Sequence, residues 1–139
     1  VFLRGPIVDL SRYGRFAWEA GAGVIDGAQV IRPGLSYGLG FIVKEKSGWF
    51  AIDALAEVDV SSRLIDTKAD ITLGVNYSPR IKSFVQLQTG KRHGDPAFVR
   101  IVPSAVVKIA KGTHVEIGLS QGLHGDNAFG LKLGLWKEF

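Results

Sequence analysis

The chain has 139 residues, enough for one domain, and its 46% apolar and 22% charged content excludes a disordered segment. It contains 18 Gly, 5 Pro and no Cys, which points to a turn-rich all-β chain and excludes disulfide and thiolate chemistry. A net charge of +4 fits a solvated basic surface; the one short basic cluster, Lys91-Arg92-His93, is too small to expect nucleic acid as a partner.

Residues 1–13 do not alternate cleanly, and Pro6 and Ser11-Arg12 mark them as a lead-in or an extra strand ahead of a β domain over 14–139. From there period-two alternation recurs, because side chains alternate across a strand. The first segment, 15–25, sets Phe16, Trp18, Ala20, Ala22 and Val24 against Ala17, Glu19, Gly21 and Gly23. The second, 33–44, sets Leu35, Tyr37, Leu39, Phe41 and Val43 against Ser36, Gly38, Gly40 and Lys44. The third, 49–60, opposes Phe50, Ile52, Ala54, Ala56, Val58 and Val60 to Asp53, Glu57 and Asp59. The fourth, 67–77, opposes Ala69, Ile71, Leu73, Val75 and Tyr77 to Asp70, Thr72, Gly74 and Asn76. Segments over 81–90, 97–109 and 113–123 follow, with Lys82, Arg100, Lys108, His114 and Glu116 on their polar faces. The last segment, 127–139, puts Phe129, Leu131, Leu133, Leu135 and Phe139 on one parity and Gly130, Lys132, Gly134 and Glu138 on the other. Tight turns are expected at 45–48, 78–80 and 110–112, and mostly longer polar links near Asp26-Gly27, 61–66, 91–96 and 124–127.

A closing strand with a polar residue, a glycine two later and a terminal aromatic, here Lys132, Gly134 and Phe139, resembles the targeting strand of bacterial outer-membrane β-barrels. The resemblance implies an antiparallel up-and-down transmembrane β-barrel of about eight strands in the outer membrane of a Gram-negative bacterium, porin-like in build, with both termini in the periplasm. Its implied partners are outer-membrane lipid, the barrel-assembly machinery and a further membrane or periplasmic protein. The alternation of tight and longer links fits short periplasmic turns. The absence of a leader-like opening leads to the expectation that an export signal has been removed.

Alternation alone does not say which face is buried. The polar face is rich in Gly, Ala and Ser, which suits a narrow barrel interior better than a solvated strand face. The apolar face is almost free of charge, and Phe16, Trp18, Phe41, Phe50, Tyr77 and Phe139 gather near one rim as an interfacial girdle would. Pro103 falls mid-strand and calls for a bulge or an inward kink. An inward polar face makes Glu19, Lys44, Asp53, Glu57, Asp70, Lys82, Arg100, Lys108, Glu116 and Lys132 an interior charge network, since a buried charge needs a partner. Adjacency sets Glu116 between Lys108 and Lys132, and Glu19 beside Lys132 across the closure.

No catalytic set is expected: His114 and Ser120 lie on one strand face but about 20 Å apart at roughly 3.3 Å per residue. His93-x-Asp95 and His124-x-Asp126 read as ordinary turn compositions, so neither a metal nor another cofactor is expected. The first expectation is a non-enzymatic structural, anchoring or interaction protein with a charge-paired interior. The alternatives are a narrow channel or barrel subunit of a larger assembly, and a soluble calyx for a small apolar ligand.

Overall fold

The computed structural model describes residues 1–25 and 27–137. The strands are β1 (Phe2–Asp9), β2 (Arg15–Ile25), β3 (Ala28–Val43), β4 (Lys46–Asp59), β5 (Ile65–Asn76), β6 (Ile81–Lys91), β7 (Phe98–Ala110), β8 (Thr113–His124) and β9 (Phe129–Lys137). They form one antiparallel up-and-down sheet in sequence order, β1 through β9. The expected architecture is therefore met as an all-β meander, with nine strands instead of about eight, and the sheet is not closed: β1 and β9 are its edges. The added strand lies in residues 1–13, where Phe2–Gly5 pairs Gly21–Trp18 without interruption. An odd strand number also places Val1 and Lys137 at opposite rims of the sheet, so the described ends do not share a side.

The sheet curls tightly. On its concave side Arg4 of β1 reaches Ser36 on β3 at 3.0 Å and Asp53 on β4 at 3.5 Å. At the other end the ring of Phe84 on β6 lies 6.2 Å from Trp136 on β9.

Burial follows the polar parity. Val102 and Val106 are buried on the concave side together with Thr72, Phe84, Ser104, His114 and Glu116. The alternating leucines of β9 face the other way: Leu131, Leu133 and Leu135 are 64%, 70% and 71% exposed. Leu35, Leu73, Ile109 and Ile117 lie on the same convex face and are exposed as well. Among the described residues this face carries charge only near the rims, at Lys46, Lys91 and Lys137, which pair Val43, Thr67 and Thr113 respectively. Phe16, Tyr37 and Phe50 touch along one rim of it, with ring centroids 4.8 and 6.4 Å apart, and Lys46 sits 4.9 Å from the Tyr77 ring. Trp18 instead packs over Gly5 of β1, where a Cβ would meet its indole at 2.9 Å. Phe139, the last expected girdle member, lies outside the described residues.

Two prolines interrupt the ladder without shifting its register. Pro103 keeps its pairing to Val85 on β6, but the β7–β8 pairing skips Val102 and Pro103 and resumes in the same register at Ser104↔Gly118. The expected bulge is thus absent there. Proline lacks the N–H that would have bonded β8, and the strand tolerates the lost rungs. The register shifts of this pair lie instead at its ends, between Val99 and Arg100 and between Lys108 and Ala110. Pro33 does the same between β3 and β4, where pairing skips from Ile31↔Val58 to Gly34↔Leu55.

The β3–β4 turn also differs from expectation. Val43 pairs Lys46, so the turn residues are Lys44 and Glu45, with φ of 47° and 66°. Gly48, expected in the turn, lies within β4 beneath the Phe41 ring, where a Cβ would come within 2.4 Å. The β2–β3 link is no longer than the tight turns, since Ile25 pairs Ala28 directly.

Candidate functional site

The concave face gathers nearly all strand charges, and the register decides which of them meet. Glu19 and Glu57 flank Arg32, at 3.5 and 3.7 Å. Asp53 and Asp70 stand directly opposite each other on β4 and β5, a pairing that repels. Each is offset by its own cation. Lys68 lies 3.1 Å from Asp70. Arg4 donates to the Ser36 hydroxyl, which donates to Asp53 Oδ1 at 2.6 Å.

Glu116 is 3% exposed; Lys132 Nζ lies 2.8 Å from Oε1, and Trp136 Nε1 donates to Oε2 at 2.9 Å. Lys108 is not beside it. Lys108 pairs His114, one step nearer the rim, because Val106 takes the place opposite Glu116. Glu19 does not meet Lys132 either, as β2 and β9 are not brought together and Glu19 turns to Arg32. Lys82 lies in the concave row Asn76–Lys82–Val106. Lys44 is displaced from the face altogether, into the β3–β4 turn. Lys132 and Gly134, read from sequence as parts of a targeting strand, lie on the concave side beside Gly118 and Glu116; Phe139 lies outside the described residues.

Arg100 pairs with a loop residue: its Nε donates to Asp126 Oδ2 at 2.6 Å, and its Nη2 contacts the same oxygen. The Ala128 N–H donates to the other Asp126 oxygen at 2.7 Å. The Ala128 N–H first, and the guanidinium second, hold this carboxyl below the usual carboxylate range. Asp126 is thereby committed to Arg100, and among the described residues no group of three or more His, Cys, Asp or Glu side chains is placed to hold a metal.

The interior is divided lengthwise. Toward the rim of the Lys44-Glu45 turn it is filled by rings: Trp49 and Phe84 are 6.2 Å apart, Phe84 and Trp136 also 6.2 Å, with Lys132 5.6 Å from the Phe84 ring. Trp49 fits because Gly74 opposite it has no side chain; a Cβ there would lie 2.2 Å from the indole. Toward the other rim the interior opens into a polar cavity of about 360 Å³ lined by Arg32, Glu57, Asp66, Lys68, Arg92 and Arg100.

Asp126, read from sequence as part of a turn composition, joins the network as the partner of Arg100. Arg4, Arg32 and Lys68 complete it and were not singled out from sequence, although parity was a usable signal. The same holds for Trp49 and Trp136, aromatics on the polar parity of their strands. No family model, curated protein or solved structure matches this chain.

Proposed function

We propose that this chain is a bacterial outer-membrane β-barrel protein with a structural, anchoring or interaction role and a plugged, charge-paired interior. The observation that carries the proposal is the disposition of the two faces. A sheet whose convex face is a continuous apolar belt, charged only at its rims, and whose concave face buries Glu116 and His114, suits lipid outside and polar packing inside. The aromatic row at one rim and Lys46 over Tyr77 fit an interfacial position. A soluble calyx would put the leucines of β9 on the concave side. A conducting pore needs a continuous lumen, and the crowding of Trp49, Phe84 and Trp136 at one end of the concave side favours the plugged reading. That no helix among the described residues is long and apolar enough to span a bilayer does not bear on this, since barrels cross with strands.

In lipid the two edges must find partners, because an unpaired backbone group in hydrocarbon is costly. The proposal therefore includes pairing of β9 to β1, which run in the same direction. Cell fractionation followed by heat-modifiability on a gel tests it. Recovery in the outer membrane with a mobility shift on boiling is expected. A chain soluble without detergent would overturn it.

A further inference from the structure

The polar cavity at the open end of the concave face holds two cations whose donors are not saturated by neighbouring carboxylates. Of its lining residues Arg32, Lys68, Arg92 and Arg100 are cationic and Glu57 and Asp66 anionic. Lys68 and Arg100 have close partners in Asp70 and Asp126. Arg32 does not. Its contacts to Glu19 and Glu57, at 3.5 and 3.7 Å, exceed hydrogen-bond length and leave guanidinium donors open. The Arg92 side chain makes no ion pair or hydrogen bond among the described residues. Its loop is nonetheless ordered. The His93 N–H donates to Asp66 at 2.7 Å, and the Asp95 N–H closes a turn onto the Arg92 carbonyl at 3.2 Å.

Two guanidinium forks with free donors in one cavity match an anion with several oxygens, since each fork engages two oxygens at once. A carboxylate would be saturated by one fork; a phosphate has oxygens for both. The remaining lining is of another kind. Glu57 and Gln88 are hydroxyl acceptors, and Phe98 and Leu55 offer apolar surface. We propose that this cavity binds a phosphorylated sugar or polyol, with the phosphate held between Arg32 and Arg92 and the hydroxyls turned toward Glu57 and Gln88. The cavity belongs to the concave face, so the inference goes beyond the membrane reading and does not depend on what covers the convex face.

Calorimetric titration with glucose 1-phosphate tests it, on protein folded in detergent micelles, or in plain buffer if the chain proves soluble. Failure of the membrane reading is thus seen separately from failure of this site. Saturable binding is expected, weaker for inorganic phosphate and absent for glucose. Arg92→Ala, in an exposed link, should weaken binding about ten- to hundredfold, and Arg32→Gln similarly. Arg12→Ala, in the link at the opposite rim where Arg12 lies over Tyr13, should leave binding unchanged. No saturable binding up to about 10 mM, or equal losses in Arg12→Ala and Arg92→Ala, would overturn the proposal. Short-chain phosphatidic acid is titrated alongside. Arg92-dependent binding of that lipid without glucose 1-phosphate binding keeps the phosphate pocket but overturns the sugar assignment, making the source a lipid headgroup.

Discussion

Leu133 separates a lipid-facing sheet from a solvated one. It is the middle residue of β9, four positions from both Phe129 and Lys137, or roughly 13 Å of strand either way at about 3.3 Å per residue. An apolar belt about 25 Å tall therefore has Leu133 near its midplane. Its side chain is 70% exposed and holds up no core. In water Leu133→Arg should change stability by no more than about 0.5 kcal/mol. In a bilayer the same change should cost about 2–4 kcal/mol, or roughly thirty- to several hundredfold in the folding equilibrium. Leu123→Arg is the companion variant: Leu123 is exposed and lies one residue from the end of β8, where the cost should fall to about 0–1 kcal/mol. Urea unfolding from thin lipid vesicles reads both against the unaltered chain. A large loss for Leu133→Arg and a small one for Leu123→Arg is expected. Equal stability of both variants and the parent would refute the assignment of the convex face to lipid.

Gly74→Ala should destabilise by about 1–3 kcal/mol in equilibrium unfolding, because the new Cβ would lie 2.2 Å from the Trp49 indole and the filled end of the interior cannot yield freely. The double change Lys44→Asn with Glu45→Gly should stabilise by about 1 kcal/mol or more, since both residues hold positive φ in a two-residue hairpin that favours Asn-Gly; thermal unfolding checks it. Glu116→Ala should cost about 1–3 kcal/mol, discounted for the partial exposure of Lys132, and Glu116→Gln less because Trp136 keeps an acceptor; denaturant titration of the pair decides. The Asp126 carboxyl is held below its ordinary range, so its contribution is complete above an unfolded value of about 3.9 and is lost as pH falls through the lower folded one. Protection of the Ala128 amide from hydrogen exchange, taken relative to an unstructured amide at the same pH, should accordingly be kept at pH 5 and lost only well below pH 4, and absence of protection already at pH 5 would contradict the contact.

Strand count from Arg15 onward and the sidedness of each segment were legible, because alternation is a local property of the chain. What alternation cannot supply is register. Lys108 and Glu116 share a face, but only the pairing of Val106 with Glu116 decides that Lys108 meets His114 instead. Arg4 and Arg32 were hidden for the same reason: each acts across strands, Arg4 over three of them. Gly48 read as a turn residue because glycine favours turns, whereas here the overlying Phe41 ring sets the requirement and pushes the turn to Lys44-Glu45. Pro103 read as a mid-strand bulge or kink. Its missing N–H interrupts the ladder to one neighbour while its pairing to Val85 is kept.

The two edges of the sheet are not equivalent, and the difference bears on how it closes. Val1 and Ala22 exchange both backbone hydrogen bonds, so by alternation Val1, Leu3 and Gly5 bond β2 while Phe2, Arg4 and Pro6 turn their backbone groups to the open side. Pro6 thus sets its absent N–H on the open edge, and the register shifts between Pro6 and Val8. Proline and a bulge are common means of blunting an edge strand against further pairing. β9 has neither, and its ladder to β8 runs unbroken from Phe129 to Lys137. A strand approaching β1 can therefore pair only along Phe2–Gly5, at the rim opposite the Lys44-Glu45 turn, whereas one approaching β9 can pair along its whole length. If β9 itself closes on β1, the seam is parallel and short, and the remaining backbone groups of β9 lie beside the filled half of the interior. The weakest point of the wall would then fall where Trp136, Phe84 and Trp49 already exclude water, and the polar cavity would lie behind the paired part.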